Sequence, residues 1–281
     1  MKNLLYFILF SSFSFAQTSV IVSIVPLKLF VDKIGGDKVK TTIMVEAGAS
    51  PHNYSPKPSQ MKSITNATIY FSIGVEFEKI WLEKFKHQNK DLKVVDVSIG
   101  IDKESSKEQH NTEEHQHHEE LDPHIWVDPI NVKYIAQTIC NTFVVNDSNN
   151  SAFYRKNLKL FLEELDALDA NIKKILEKNP ENSTFMVFHP SWGYFAKRYK
   201  LKQLPVEIEG KEPKMKALVK LMKQAKKERV KAIFTQPEFS DKSAQIIANN
   251  LHIQVIKASP LSPDWSENLI NLAKAIAYKE K

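Results

Sequence analysis

The 281-residue sequence has one cysteine, seven glycines and, beyond its first sixteen residues, no long apolar run. Each shortage removes a class of protein. A single thiol, Cys140, closes no intrachain disulfide, so the fold has to be held by its core. The glycines form no GxGxxG or GxxxxGK[ST] arrangement, which leaves no phosphate-cradling loop. HExxH and GxSxG are missing as well, and with them the commonest marks of zinc proteases and serine hydrolases. Without a second stretch approaching ~20 apolar residues, no stable membrane insertion of the mature chain is expected.

What is present begins with a leader. Residues 1–16, MKNLLYFILFSSFSFA, carry a lysine, an apolar run and a small-x-small Ser14-Phe15-Ala16. This reads as a secretory signal peptide, too short to span a bilayer, with the mature chain starting near Gln17. Gln17 is not the cysteine that lipid anchoring requires, so a periplasmic protein without a lipid tether is expected. Loss of Lys2 takes the net charge from +6 to +5. That excess is spread over helical stretches such as 214–231, with no interleaved aromatics of the kind that stack bases, and it implies no nucleic-acid partner. A monomer is expected.

Hydrophobic residues make up 42% of the chain, enough for one large core or two modest ones. Short apolar runs at 19–25, 39–45, 67–73 and 92–97 alternate with helical patterns, the mark of a parallel sheet covered on both faces. The same alternation returns beyond residue 180, with strands expected at 184–188, 203–206, 232–235 and 254–257. Between the two series, Tyr154, Leu158, Phe161, Leu165, Leu168, Ile172 and Ile175 repeat at steps of three and four, which predicts one long helix. The expected fold is α/β: two similar lobes with parallel four-stranded sheets, 17–148 and 180–281, joined by a rigid helix over 149–179. A polar loop at about 102–121 interrupts the first lobe.

That loop concentrates histidine. His110, His115, His117 and His118 are interleaved with glutamates, and His124 comes after them within an apolar DPHIWV context. Imidazole and carboxylate are ligands for zinc and its borderline neighbours. A tract of this composition is also what a solvated low-complexity loop presents. His124 is different, because a polar ring between Pro123 and Ile-Trp-Val needs a reason to be there. Ligands in open parallel sheets bind beyond the carboxyl ends of the strands, in a crevice. His52 falls in the loop after the second strand and His189 directly after a strand of the second lobe, as do Gln236, Glu238 and Ser259 after later strands. Three such imidazoles with a water or carboxylate make a standard zinc set. His87 and His252 have no such placement and read as surface residues.

Four segments carry a family likeness: the loop GASPHNYSPKPSQ with MKSITNATIYFSIGVEFEKIWLEKF directly after it, DPHIWVDPINV, FHPSWGYFAKRYKL with IEGKEP, and FTQPEFSDKSAQIIA. Together they resemble the motifs of zinc-uptake solute-binding proteins, the extracytoplasmic receptors of ATP-driven metal importers. The resemblance runs over nearly the whole mature chain. It implies two lobes on a linking helix, one tight Zn2+ site in the cleft between them, and a membrane permease as partner. Matched by motif, the ligands are His52, His124 and His189. Relatives that carry manganese or iron usually have glutamate at the third position, so His189 moves the donor set toward zinc. The aspartate that often opens a DPL-like turn is here Ser259, and the glutamate expected at Gln236 is also absent. Glu238, Asp264, a water or an acidic residue of the tract remain as fourth ligands. The histidine tract at 110–118 would then gather additional zinc weakly. The rival class is an exported zinc hydrolase or hydratase, which needs a general acid or base and a substrate cavity beside the metal.

Overall fold

The computed structural model describes residues 17–105, 121–208 and 211–277. The leader 1–16 and the tract histidines 110, 115, 117 and 118 lie outside the described residues. Strand β1 (Thr18–Ile24) is followed immediately by α1 (Val25–Gly35), whose Pro26 sits in the first turn, where a missing amide costs nothing. Then come β2 (Val39–Val45), α2 (Pro58–Thr65), β3 (Ile69–Ser72), α3 (Glu76–Gln88) and β4 (Lys93–Asp96). All pairings are parallel, in the order β2-β1-β3-β4. The last five residues of β1 are buried, as expected of a central strand covered on both faces.

A 3-10 turn at Ile125–Val127 leads into α4 (Pro129–Asn146), which opens with the Asp128 side chain accepting from the Ile130 amide at 2.8 Å. The long helix α5 (Ser151–Leu176) comes next. The second lobe comprises β5 (Ser183–Val187), α6 (Gly193–Arg198), β6 (Leu201–Pro205), α7 (Met215–Lys227), β7 (Ala232–Thr235), α8 (Lys242–Leu251), β8 (Gln254–Lys257) and α9 (Trp265–Ile276). Its sheet order is β6-β5-β7-β8. Both lobes therefore step from the first strand to one side and then cross to the other, so each has a switch point, between β1 and β3 and between β5 and β7.

Helix α5 has 26 residues, about 39 Å at 1.5 Å per residue. Its buried face is Tyr154, Leu158, Phe161, Leu165, Leu168, Ile172 and Leu176; the stripe ends one residue later than the pattern predicts, with Ile175 only half-buried. It packs on α1 and α4 of the first lobe and on α9 of the second. Phe30 of α1 meets Phe161 of α5 at 5.9 Å and Trp265 of α9 edge-on at 5.1 Å, so one core cluster runs through both lobes, beside a second cluster confined to the second lobe. Further along α5, Asp169 accepts from Arg198 Nε at 3.0 Å and Nη2 at 2.7 Å and from the Tyr199 hydroxyl at 3.1 Å. Burial works to raise this carboxyl, but the bonds from Arg198 and Lys173 outweigh it and hold it at about 2. Trp126 Nε1 donates to the Pro260 carbonyl and Trp265 Nε1 to the Trp126 carbonyl, each at 2.9 Å and each buried. The lobes are thus fastened by apolar contact and by paired polar groups, and no helix among the described residues is long and apolar enough to cross a membrane.

Candidate metal centre

The carboxyl edges of the sheets face one another across the cleft. His52 stands on the loop after β2, whose turn is closed by the Ala49 amide on the Glu46 carbonyl at 3.1 Å. His124 precedes the 3-10 turn and is buried. His189 comes two residues past β5, held by the Gln236 Nε2 bond to its carbonyl at 3.1 Å. One ligand nitrogen from each of the three lies within 4.8 Å of the others. His52 Nε2 and His189 Nε2 are 3.3 Å apart, and the His124 and His189 ring centroids 5.3 Å apart.

The opposite nitrogen of every ring is occupied. Nδ1 of His52 faces Glu76 Oε2 at 3.1 Å, Nδ1 of His124 faces Asp122 Oδ1 at 2.6 Å, and Nδ1 of His189 faces Glu207 Oε1 at 2.9 Å. An ionised carboxylate only accepts, so Nδ1 of His124 and of His189 carries the hydrogen and their Nε2 atoms keep a lone pair, and the Glu76 charge favours the same tautomer of His52. With hydrogen on both Nδ1 atoms, the two Nε2 lone pairs at 3.3 Å repel. A cation between them turns that repulsion into coordination, and the carboxylates both fix the tautomer and raise the basicity of the donors. Burial lowers the His189 imidazole below its ordinary value, partly offset by Glu207 and reinforced by the neighbouring His124 and His52. Burial works to raise the Glu76 carboxyl, but the His52 hydrogen bond and charge bring it to about 2, so it stays ionised wherever imidazole titrates. Asp122 also accepts from the His124 amide at 2.9 Å. Replacing Asp122 with Asn puts an amide where the acceptor was. The expected result is a roughly 10- to 100-fold weaker metal affinity with an intact fold, read by chelator competition beside a thermal melt.

The three rings border a cavity of about 20 Å³ with apolar walls from Pro51, Trp126, Phe239 and Leu261. A space of that size holds one water or one ion. His189 stacks on Phe239 at 4.9 Å, which fixes its ring plane. A larger cavity of about 420 Å³ lies at the opposite end of the second lobe, between Asn179, Phe185, Arg229 and Ile276; no histidine lines it.

Glu238 borders the small cavity, half-buried, and accepts from Ser259 Oγ at 3.0 Å. Asp264 does not line it. The start of α9 places Asp264 on the exposed N-cap, where its carbonyl accepts from the Asn268 amide at 2.9 Å. His87 and His252 are exposed, away from the cluster. Sequence reasoning did not single out Glu76, Asp122 and Glu207. Two of them sit just beyond the ends of β3 and β6, and a search for acidic residues at strand ends as well as histidines would have found those.

Two parallel-sheet lobes on a common core, bridged by one helix and enclosing an ion-sized cavity lined by imidazoles, define a solute-binding protein for a metal ion. The family model described as zinc-uptake complex component A, periplasmic, matches residues 20–278, and the chain belongs to that family. A high-affinity zinc uptake system protein ZnuA of Bacillus subtilis is 30% identical over 241 residues, covering 83% of this chain and 75% of that protein. A crystal structure of ZnuA superposes with a TM-score of 0.85 at 38% identity, covering 92% of this chain and 97% of the other. A ZnuA structure lacking its residues 138–173, with zinc bound, gives 0.84 at 37%, covering 94% and 100%.

Proposed function

We propose that the protein captures Zn2+ outside the cytoplasmic membrane through His52, His124 and His189 and delivers it to the permease of an ATP-driven importer. The single observation that carries this is the convergence of three imidazoles, one ligand nitrogen of each within 4.8 Å of the others and each ring with a carboxylate at Nδ1. An all-imidazole set favours zinc over manganese, which suits oxygen donors. Water takes the fourth position, and Glu238 is the side chain at the cavity rim able to replace it. The leader at 1–16 and Gln17 in place of a lipid-bearing cysteine support export to the periplasm without a tether. The lobe boundaries at 148–149 and 179–180 belong to the same reading. Hydrolysis is disfavoured, because a cavity for one ion leaves no room for an organic substrate beside it.

Metal analysis of the purified protein, with an anomalous-scattering map, tests the assignment: one tightly held zinc surrounded by these three rings is expected. Deleting residues 110–120 should remove weaker extra equivalents and leave the tight one. Retention of every equivalent after the deletion would discard the gathering role of the tract.

A further inference from the structure

Glu78 is a buried carboxylate outside the imidazole cluster. It lies in the first turn of α3 and points back into the switch point of the first lobe, the crevice where parallel sheets commonly take a ligand. Here the crevice is filled from within. Glu78 Oε1 accepts from the Ser23 hydroxyl at the end of β1 and from the Ile73 amide at 2.9 Å; Oε2 accepts from the Gly74 amide at 2.7 Å. Ser23 is in turn 2.8 Å from the Tyr70 hydroxyl of β3. Gly74 has φ +98°, a conformation that suits glycine, and it turns the chain so that both amides converge on one carboxylate.

The same turn of α3 reaches the metal centre. The Phe77 amide donates to the Pro51 carbonyl at 3.0 Å, and Glu76 holds His52 Nδ1 at 3.1 Å. By contrast, bonds within the His52 loop are long, 3.4 Å from the Asn53 amide to the Ser50 carbonyl and 3.3 Å from the His52 amide to Ser50 Oγ. The loop borrows its placement from α3, and α3 is seated by Glu78.

We infer that Glu78 is a positioning residue for metal capture: by locking the start of α3 onto β1 and β3 it sets Glu76 and Pro51, and through them the direction of His52 Nε2. It makes no contact with the ion. This rests on the assignment of His52 as a ligand.

The experiment is a thermodynamic cycle with Zn2+ alone as probe, read by chelator competition. Glu78→Gln offers an amide NH2 where a backbone amide needs an acceptor. Ser23→Ala removes one donor with less disturbance and keeps the test open should the first variant fold poorly. Each is expected to weaken zinc about ten-fold, the lower end for groups that orient ligands. In a His52→Ala background the factor should fall to about one, whereas in a His189→Ala background it should persist. A purely structural role would lower all backgrounds alike, and that result overturns the inference. So does unchanged affinity of a folded Glu78→Gln protein. If His52→Ala itself leaves zinc binding intact, the ligand assignment falls and this inference with it; a zinc-weakened His52→Ala beside an indifferent Glu78→Gln removes this inference alone.

Discussion

Substituting His124 with Ala is expected to weaken the tight zinc site by about 3–4 kcal/mol, some hundreds-fold in Kd, as loss of one of three nitrogen donors implies. The cost is large because the position cannot be refilled. His124 is buried and apolar Trp126 and Pro260 stand on the same cavity wall, so only a water with poor partners replaces the ring. His87→Ala, an exposed imidazole on α3, is the matched control and should leave Kd unchanged. Affinity should also drop as pH falls below about 6.5, because the proton and the ion compete for the same Nε2 lone pairs. The sign comes from coordination, since only neutral rings bind. Burial keeps the His189 imidazole below its ordinary value, so this ring stays neutral further into acid than a free imidazole. Isothermal titration from pH 5 to 8 checks both; a His124→Ala protein with wild-type Kd would remove this ring from the site.

The second large effect concerns the fold. Trp265→Ala should destabilise the protein by about 3–5 kcal/mol, the range for emptying the place of a fully buried aromatic. Trp265 is 1% exposed, packs edge-on against Phe30, and donates to the Trp126 carbonyl at 2.9 Å. The substitution leaves a void between α9 and α1 and orphans a buried carbonyl in the segment that carries His124. Urea unfolding of the zinc-free protein measures it. Added zinc should restore part of the loss, since binding draws on the folded state alone. A change under about 1 kcal/mol would show that the lobes do not depend on this contact.

Much of this architecture was legible in the residues. The strands 39–45, 232–235 and 254–257 coincide with their apolar runs because β-branched and aromatic residues there are bounded by turn-formers. The first strand ends one residue early, at Ile24, because Pro26 pre-sets the φ of a helix that starts at Val25. The placement of His52 and His189 was open to reasoning from strand ends, and that of His124 from its apolar setting. Their carboxylate partners went unread: Glu76 and Glu207 stand just beyond strand ends, but only contacts of 3.1 and 2.9 Å tie each to its ring, and Asp122 shows its role only in its 2.6 Å contact with His124. The common strand order of the two lobes is likewise invisible in a sequence without detectable repeats.

The continuous packing of Phe30, Phe161 and Trp265 has a consequence for recognition. Receptors whose halves swing shut announce their cargo by shape, and a transporter needs only to feel the clamp. Here the halves are already fastened, so a docking partner has to distinguish laden from empty by something small: the charge of the ion itself, or a rearrangement of the His52 loop at the mouth. Mutations that loosen that loop are therefore expected to disturb the timing of unloading before they disturb the silhouette of the molecule.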